Sequence, residues 1–152
     1  MSGHGHLLEP VGKGQCSQCG LVCIRNKYRY GKRDDLVDYR RCEAMEYYMP
    51  WKYGHEDEPV DTFFNAPILA NDYSICTFEL RSMINWLYEC CRTKCLTEEE
   101  TGLPLSKIGT EEFLAKLLYS ITYREGLGGF LAEGLFRASR KVSEKALSLI
   151  HI

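Results

Sequence analysis

The sequence predicts a mainly α-helical protein whose N-terminal third is irregular and carries cysteines. Two observations predict this fold class. From Pro59 onward, apolar residues recur at helical spacing, and the segments are separated by residues that start or stop helices. The first 58 residues have no sustained period. We therefore expect an irregular segment at 1–58 that holds the metal-binding cysteines, a bundle-like helical domain at 59–146, and a tail at 147–152.

The N-terminal segment divides into a loop and a turn. Residues 1–15 contain four glycines and a proline, which is typical of a loop. Residues 26–41 mix aromatic and basic residues around Gly31, and this pattern predicts a short hairpin near Tyr28 to Asp38. We expect no further sheet.

The helical part contains two clear apolar stripes. One lies on a predicted helix from about Phe78 to Cys91 and the other on a helix that follows Thr110. Thr97 and Glu100 have the spacing of a capping box. The two stripes consist of Leu80, Met83, Ile84 and Leu87, and of Phe113, Leu114, Leu117, Leu118, Ile121 and Tyr123.

Glycines punctuate the C-terminal part of the chain. Gly126 is expected to stop the second striped helix, and both Gly126 and Gly128 are expected to have backbone angles that disfavour a side chain. Helical spacing then resumes through Leu131 and Leu135, so Gly134 is expected within a helix, where it would mark close packing.

Composition excludes several classes of protein. The formal net charge is -2 and the charges are interspersed, so a nucleic-acid or anionic-membrane partner is not expected. No apolar run approaches the roughly twenty residues that span a bilayer, and the N-terminus lacks a signal-peptide layout. We expect a cytoplasmic protein whose eight cysteines are reduced or bind metal.

Three cysteines form the clearest chemical motif. Cys16, Cys19 and Cys23 follow a C-x-x-C-x-x-x-C spacing, and Gly20 allows the backbone to bend around a metal centre. Zinc sites also begin with C-x-x-C, and Cys42 or His55 would then complete the ligand set. The local motif alone favours iron-sulfur and zinc about equally.

The rest of the chain resembles the middle, helical portion of the tungsten-dependent aldehyde ferredoxin oxidoreductase family, over residues 15–146. CSQCGLVC is similar to the cysteine segment of that family, AMEYYM to its G-P-E-Y-E motif, and NDYSIC to its D-x-x-G-L-D/C motif. LTEEETGLPLSKIG and YREGLGGFLAEGLFRAS resemble two longer motifs of the family, which belong to its scaffold rather than to its chemistry.

The resemblance implies a function and a set of site residues. Cys16, Cys19 and Cys23 would ligate a [4Fe-4S] cluster beside a tungstopterin, and Glu46 would be a catalytic proton-transfer group. Asn71 and Cys76 would contact the cofactor. The implied reaction interconverts aldehydes and carboxylic acids, with ferredoxin as the electron partner. The motifs do not distinguish tungsten from molybdenum as the pterin metal. They also leave open whether the chain forms a homo-oligomer.

The departures from the family also carry expectations. Ala44-Met45 replaces Gly-Pro, and Asn71 replaces a charged aspartate that helps to hold the pterin, so the substrate is not fixed. In relatives the fourth cluster cysteine lies far beyond the length of this chain, and a β-rich N-terminal domain supplies most of the pterin site. We therefore expect a fragment that is inactive alone.

Three alternatives stay open at this stage. A class II benzoyl-coenzyme A reductase subunit shares the family architecture, and so would share its motifs. A small stand-alone zinc or iron-sulfur module would need a complete ligand set within the chain, using Cys42 or Cys76. A purely structural helical protein would bind no metal, and its cysteines would react as free thiols.

Overall fold

A computed structural model describes residues 8–13, 26–30, 33–40 and 47–150. Within these ranges most residues are helical, so the mainly α-helical fold is confirmed. The strands are β1 (Leu8–Lys13), β2 (Asn26–Tyr30) and β3 (Arg33–Arg40). The helices are α1 (Val60–Asp72), α2 (Thr77–Arg92), α3 (Glu98–Thr101), α4 (Glu111–Tyr123), α5 (Leu127–Leu131) and α6 (Leu135–Ile150), with short 3₁₀ turns at Pro50–Tyr53 and Leu105–Lys107.

The three strands form one antiparallel sheet in the order β1-β2-β3. The predicted hairpin is confirmed, because Tyr28 of β2 lies opposite Asp38 of β3. The prediction of a loop for residues 1–15 was wrong over β1. Proline and glycine do not break this strand because β1 is an edge strand, where Pro10 is tolerated, and because the register shifts by one residue between Pro10 and Gly12.

The two predicted apolar stripes form the centre of the helical core. Leu80, Met83, Ile84 and Leu87 of α2 are buried, as is each predicted residue of the α4 stripe except Tyr123, which is 61% exposed. Full burial of one leucine-sized side chain stabilises a fold by about 1.5–3 kcal/mol. These two helices therefore supply much of the apolar burial that holds the domain together.

The starts of α3 and α4 follow from their sequences. The side chain of Thr97 accepts a hydrogen bond from the N–H of Glu100, whose carboxylate in turn accepts from the N–H of Thr97, which confirms the capping box. Thr110 accepts from the N–H of Phe113 and caps α4 in the same way.

The glycine-rich connection after α4 brings two helices into close contact. Gly126 has a φ of +52°, as predicted for a position that disfavours side chains. The same prediction for Gly128 was wrong, because Gly128 lies inside α5 and does not have a positive φ. Its requirement for glycine comes from packing, since a Cβ there would overlap the backbone of Ser120 in α4. The prediction that Gly134 lies within a helix was wrong. Its φ of +97° separates α5 from α6.

Helix α1 links the sheet to the helical core. It contacts β3 on one side and α4 on another. Ala66 and Ala70 of α1 are fully buried, and their small side chains allow neighbouring segments to approach the helix closely. Of the candidate site residues, Asn71 lies on α1 and Cys76 lies shortly after its end.

Candidate functional site

The cysteine motif lies between two paired strand ends. Cys16, Cys19 and Cys23 lie outside the described residues, as does Cys42. The last residue of β1, Lys13, pairs with the first residue of β2, Asn26. The sheet therefore holds together both ends of the segment 14–25 that carries the three thiols. Fixing the ends of a segment lowers the entropy cost of gathering ligands within it.

Glu46 also lies outside the described residues, but the residue that follows it is firmly anchored. The side chain of Tyr47 is 3% exposed, and its hydroxyl donates a hydrogen bond to the carbonyl of Ala66 in α1 at 2.7 Å. A buried hydroxyl with a good partner fixes the backbone near it. The chain leaving Glu46 is thus tied to α1.

Tyr48 ties the same segment to the start of α4. Its hydroxyl donates to the carbonyl of Thr110 at 2.7 Å and accepts from the N–H of Gly109 at 2.9 Å. Burial raises the pKa of Tyr48 well above its usual value, which keeps the phenol neutral and able to donate. Gly109 suits this contact, because its φ is +115° and a Cβ there would press on His55.

The Tyr48 anchor was missed by the sequence analysis. The aromatic residues after Glu46 appear in that analysis only within the string AMEYYM. In the structure Tyr48 packs between Tyr47 and Tyr53, with ring centroids 6.0 and 6.1 Å apart. The density of aromatic residues between Tyr47 and Tyr53 was the available signal, since such residues are rarely gathered in an exposed loop.

Asn71 and Cys76 lie in one tight turn between α1 and α2. Asn71 is in the last turn of α1, and its carbonyl accepts a hydrogen bond from the N–H of Ser74 at 2.9 Å. Cys76 is the residue that precedes α2, and its carbonyl accepts from the N–H of Leu80 at 3.0 Å. Both side chains are exposed, and Cys76 is a free thiol. The turn therefore exposes the amide of Asn71 and the thiol of Cys76 at the protein surface.

The backbone of this turn explains the glycine of the family motif. Ser74 has a φ of +56°, and Ile75 donates its N–H to the carbonyl of Ala70 at 2.9 Å. These features define a Schellman motif, whose left-handed position is usually glycine. The glycine of the D-x-x-G-L-D/C motif aligns with Ser74, and glycine suits that position because its backbone is left-handed. Serine adopts the same backbone here at some cost in strain.

Helix α1 relates the neighbour of Glu46 to Asn71. Tyr47 bonds to Ala66, and Asn71 follows five residues later on the same helix. At 1.5 Å per residue this corresponds to roughly 7.5 Å along the axis. The structure thus brings the predicted pterin contact close to the anchored residue beside the predicted proton-transfer group. It does not describe how either is placed relative to the three cysteines.

The cysteines of α2 form no metal centre in the described part of the chain. Cys90 and Cys91 lie in the last turn of α2, on a helix as expected. Among the described residues, no group of three or more histidine, cysteine or acidic side chains is positioned to hold a metal ion. His55 is half-buried, and its backbone N–H donates to the carbonyl of Pro50 at 3.2 Å.

A membrane-spanning role finds no support in the helices. Of the helices in the described ranges, none has both the length and the apolar character needed to cross a bilayer.

Comparison with known proteins identifies the same family as the sequence motifs. The family model described as aldehyde ferredoxin oxidoreductase, domains 2 and 3, matches residues 4–152. The chain is 28% identical over 127 residues to an aliphatic sulfonate oxidoreductase, WOR-like subunit, of Pyrococcus furiosus. That alignment covers 83% of this chain and 20% of the relative, so the chain spans about a fifth of the length of that protein. No solved structure matches the chain.

Proposed function

The chain belongs to the aldehyde ferredoxin oxidoreductase family, and on that premise we propose that it supplies three cysteine ligands to a [4Fe-4S] cluster in a tungstopterin oxidoreductase. The observation that carries the proposal is the family match across residues 4–152, which includes Cys16, Cys19 and Cys23. Membership of this family supports an oxidoreductase. The cluster, the pterin and the substrate are what we propose beyond that.

The donor set fits a cluster. Three thiolates at C-x-x-C-x-x-x-C spacing suit the soft iron sites of an iron-sulfur centre. The pairing of Lys13 with Asn26 closes the base of the segment that carries them, which supports a compact arrangement of ligands. When bound, the cluster supplies one-electron transfer between the pterin centre and ferredoxin, our proposed electron partner. The cysteines keep it in place and are themselves not oxidised.

The remaining site residues have proposed roles in binding and proton transfer. Glu46 exchanges a proton with the substrate or with water, as a carboxylate next to a rigid anchor is suited to do. Asn71 and Cys76, in the turn between α1 and α2, provide hydrogen-bonding groups to the pterin side of the site. Asn71 carries no charge, so its contact is a neutral hydrogen bond.

The proposed substrate is an aldehyde or the corresponding carboxylic acid. The relative named as an aliphatic sulfonate oxidoreductase makes an organic sulfonate the second candidate. An acyl-coenzyme A substrate, as in the benzoyl-coenzyme A reductase branch, is the third. Since the chain corresponds to about a fifth of that relative, we expect no oxidoreductase activity from these 152 residues alone. Reduced thiols are consistent with the cytoplasmic location that we propose.

Anaerobic reconstitution with iron and sulfide tests the cluster proposal. We expect a labile chromophore with less than one cluster per chain, because three thiolates leave one iron without a protein ligand. Cys19→Ser is expected to abolish the visible absorbance and the bound iron. Cys90→Ser is the matched control and is expected to retain both, since Cys90 lies on α2. Equal losses in the two variants would refute the ligand assignment.

Metal analysis separates this proposal from a zinc module. A zinc site would bind one zinc per chain with four protein ligands and would show no visible absorbance. Stoichiometric zinc that resists a chelator and excludes iron during reconstitution would favour the zinc reading. Free titration of Cys16, Cys19 and Cys23 under anaerobic reconstitution conditions would favour a purely structural role.

A further inference from the structure

Two cysteines flank the turn that ends α2. Cys90 is half-buried in the last turn of the helix and Cys95 is exposed just beyond it. The N–H of Cys95 donates to the carbonyl of Cys90 at 2.9 Å, and Lys94 between them has a φ of +57°. With standard bond lengths this hydrogen bond limits the two Cα atoms to a separation of about 6.8 Å or less. Disulfides have Cα separations of about 4.4–6.8 Å.

The two thiols differ in reactivity. Cys95 is exposed, so a dissolved disulfide can reach its sulfur. Burial raises the pKa of the Cys90 thiol, and the nearby Cys95 and Glu89 raise it further. Cys95 is therefore the attacking thiol and Cys90 the resolving thiol.

Neighbouring groups narrow the choice of partner for Cys95. Cys91 is partly buried and packs against the hydrophobic core. Cys90, whose carbonyl accepts the hydrogen bond from the N–H of Cys95, is the cysteine next to Cys95 across the turn. The pair also lies apart from the turn that holds Asn71 and Cys76, because α2 has 16 residues, a length of roughly 24 Å.

We propose that Cys90 and Cys95 form a dithiol site that undergoes thiol–disulfide exchange with small organic disulfides. Cys95 loses its proton to solvent, and its thiolate attacks one sulfur of the disulfide, forms a mixed disulfide and releases one thiolate. Cys90 gives its proton to solvent and attacks the sulfur of Cys95, which forms the Cys90–Cys95 bond and releases the second thiolate. Two electrons and two protons thus pass from the pair to the small disulfide, which becomes two thiols.

Mass spectrometry after equilibration with glutathione tests the site. The reduced chain is incubated with mixtures of oxidised and reduced glutathione, quenched with an alkylating reagent and digested with trypsin. Because trypsin cleaves after Arg92 and Lys94, the closed pair joins the peptide 82–92 to the peptide 95–107. Cys91 lies on the same peptide as Cys90, so variants must identify the partner.

We expect the joined peptide in the unaltered chain and in Cys91→Ser, in similar yield. Cys90→Ser is expected to lower that yield at least tenfold and to leave Cys95 as its mixed disulfide with glutathione. Circular dichroism of each variant checks that the helices are retained. A joined peptide that persists in Cys90→Ser would overturn the proposal, and so would an unaltered chain that accumulates only the mixed disulfide at Cys95. Neither outcome depends on whether the chain binds an iron-sulfur cluster.

Discussion

The hydroxyl of Tyr48 accepts a hydrogen bond from the backbone N–H of Gly109 at 2.9 Å, across 61 residues of chain. The same hydroxyl donates to the carbonyl of Thr110 at 2.7 Å. One side chain thereby satisfies two backbone groups at the start of α4 and fixes the segment that follows Glu46. The position of Tyr48 thus depends on a contact between two segments that are distant in sequence.

Tyr48→Phe is expected to destabilise the chain by about 1–3 kcal/mol, because it leaves the N–H of Gly109 buried without its partner. Tyr53→Phe is the matched control. Its hydroxyl bonds to Asn85 at an exposed position, where water replaces the lost partner, and we expect a smaller effect. Urea unfolding monitored by circular dichroism measures both. Equal losses in the two variants would mean that the Tyr48 bridge contributes little.

Ser74→Gly is expected to stabilise the chain by about 0.5–1 kcal/mol. A side chain in the left-handed conformation costs about 1–2 kcal/mol, and the greater freedom of glycine in the unfolded chain offsets part of the gain. Ser82→Gly makes the same change on the exposed face of α2, within a helix, and should destabilise by about 0.5 kcal/mol. Unfolding midpoints that shift in the same direction in both variants would contradict the assigned role of Ser74.

Gly128→Ala is expected to destabilise by about 1–3 kcal/mol or more, because the new methyl group overlaps the backbone of Ser120, which cannot move without separating α4 from α5. Gly102→Ala is the control. Gly102 has a φ of +68° but open space around it, so only conformational strain of about 1 kcal/mol is expected.

Gly126→Val is expected to cost at least about 1 kcal/mol, since Gly126 combines a φ of +52° with a close approach to the carbonyl of Thr101. Thermal unfolding midpoints of this variant, of Gly102→Ala and of Gly128→Ala rank the three positions by the stability that each substitution costs. A Gly102 variant less stable than the Gly128 variant would refute the packing account.

Stability is expected to fall as pH rises from about 10 to 12. Burial raises the pKa of Tyr53 to about 12, with Tyr88 adding to the shift and Arg81 opposing it. A tyrosine in the unfolded chain ionises near pH 10. The contribution of Tyr53 is therefore fully present below pH 10 and is lost as pH rises through its folded pKa, because the unfolded chain releases its proton first.

Tyr53→Phe provides the test of this pH dependence. Urea midpoints at pH 9, 10 and 11 are expected to fall less steeply in the variant than in the unaltered chain. Some slope should persist, because burial also raises the pKa of Tyr48. Parallel slopes in the two proteins would show that Tyr53 is not the group responsible.

The sequence by itself determined the helical core and the helix boundaries that depend on local chemistry. The stripe from Leu80 to Leu87 and the caps at Thr97 and Thr110 are set by residues three or four positions apart, so they are visible in the chain. The predicted stop at Gly126 was wrong in its residue, because the left-handed cap of α4 is Arg124 and Gly126 precedes α5. The family resemblance was also available from the sequence, because its motifs are contiguous.

Only the tertiary structure decided the contacts between distant segments. Edge position and a bulge made β1 a strand despite its proline and glycine, and neither property is encoded locally. The close approach of Gly128 to Ser120, and of Tyr48 to Gly109, depends on how α4 packs against its neighbours. A residue's own neighbours in sequence set its backbone preference, whereas its partner across the core is set by the packing of the whole chain.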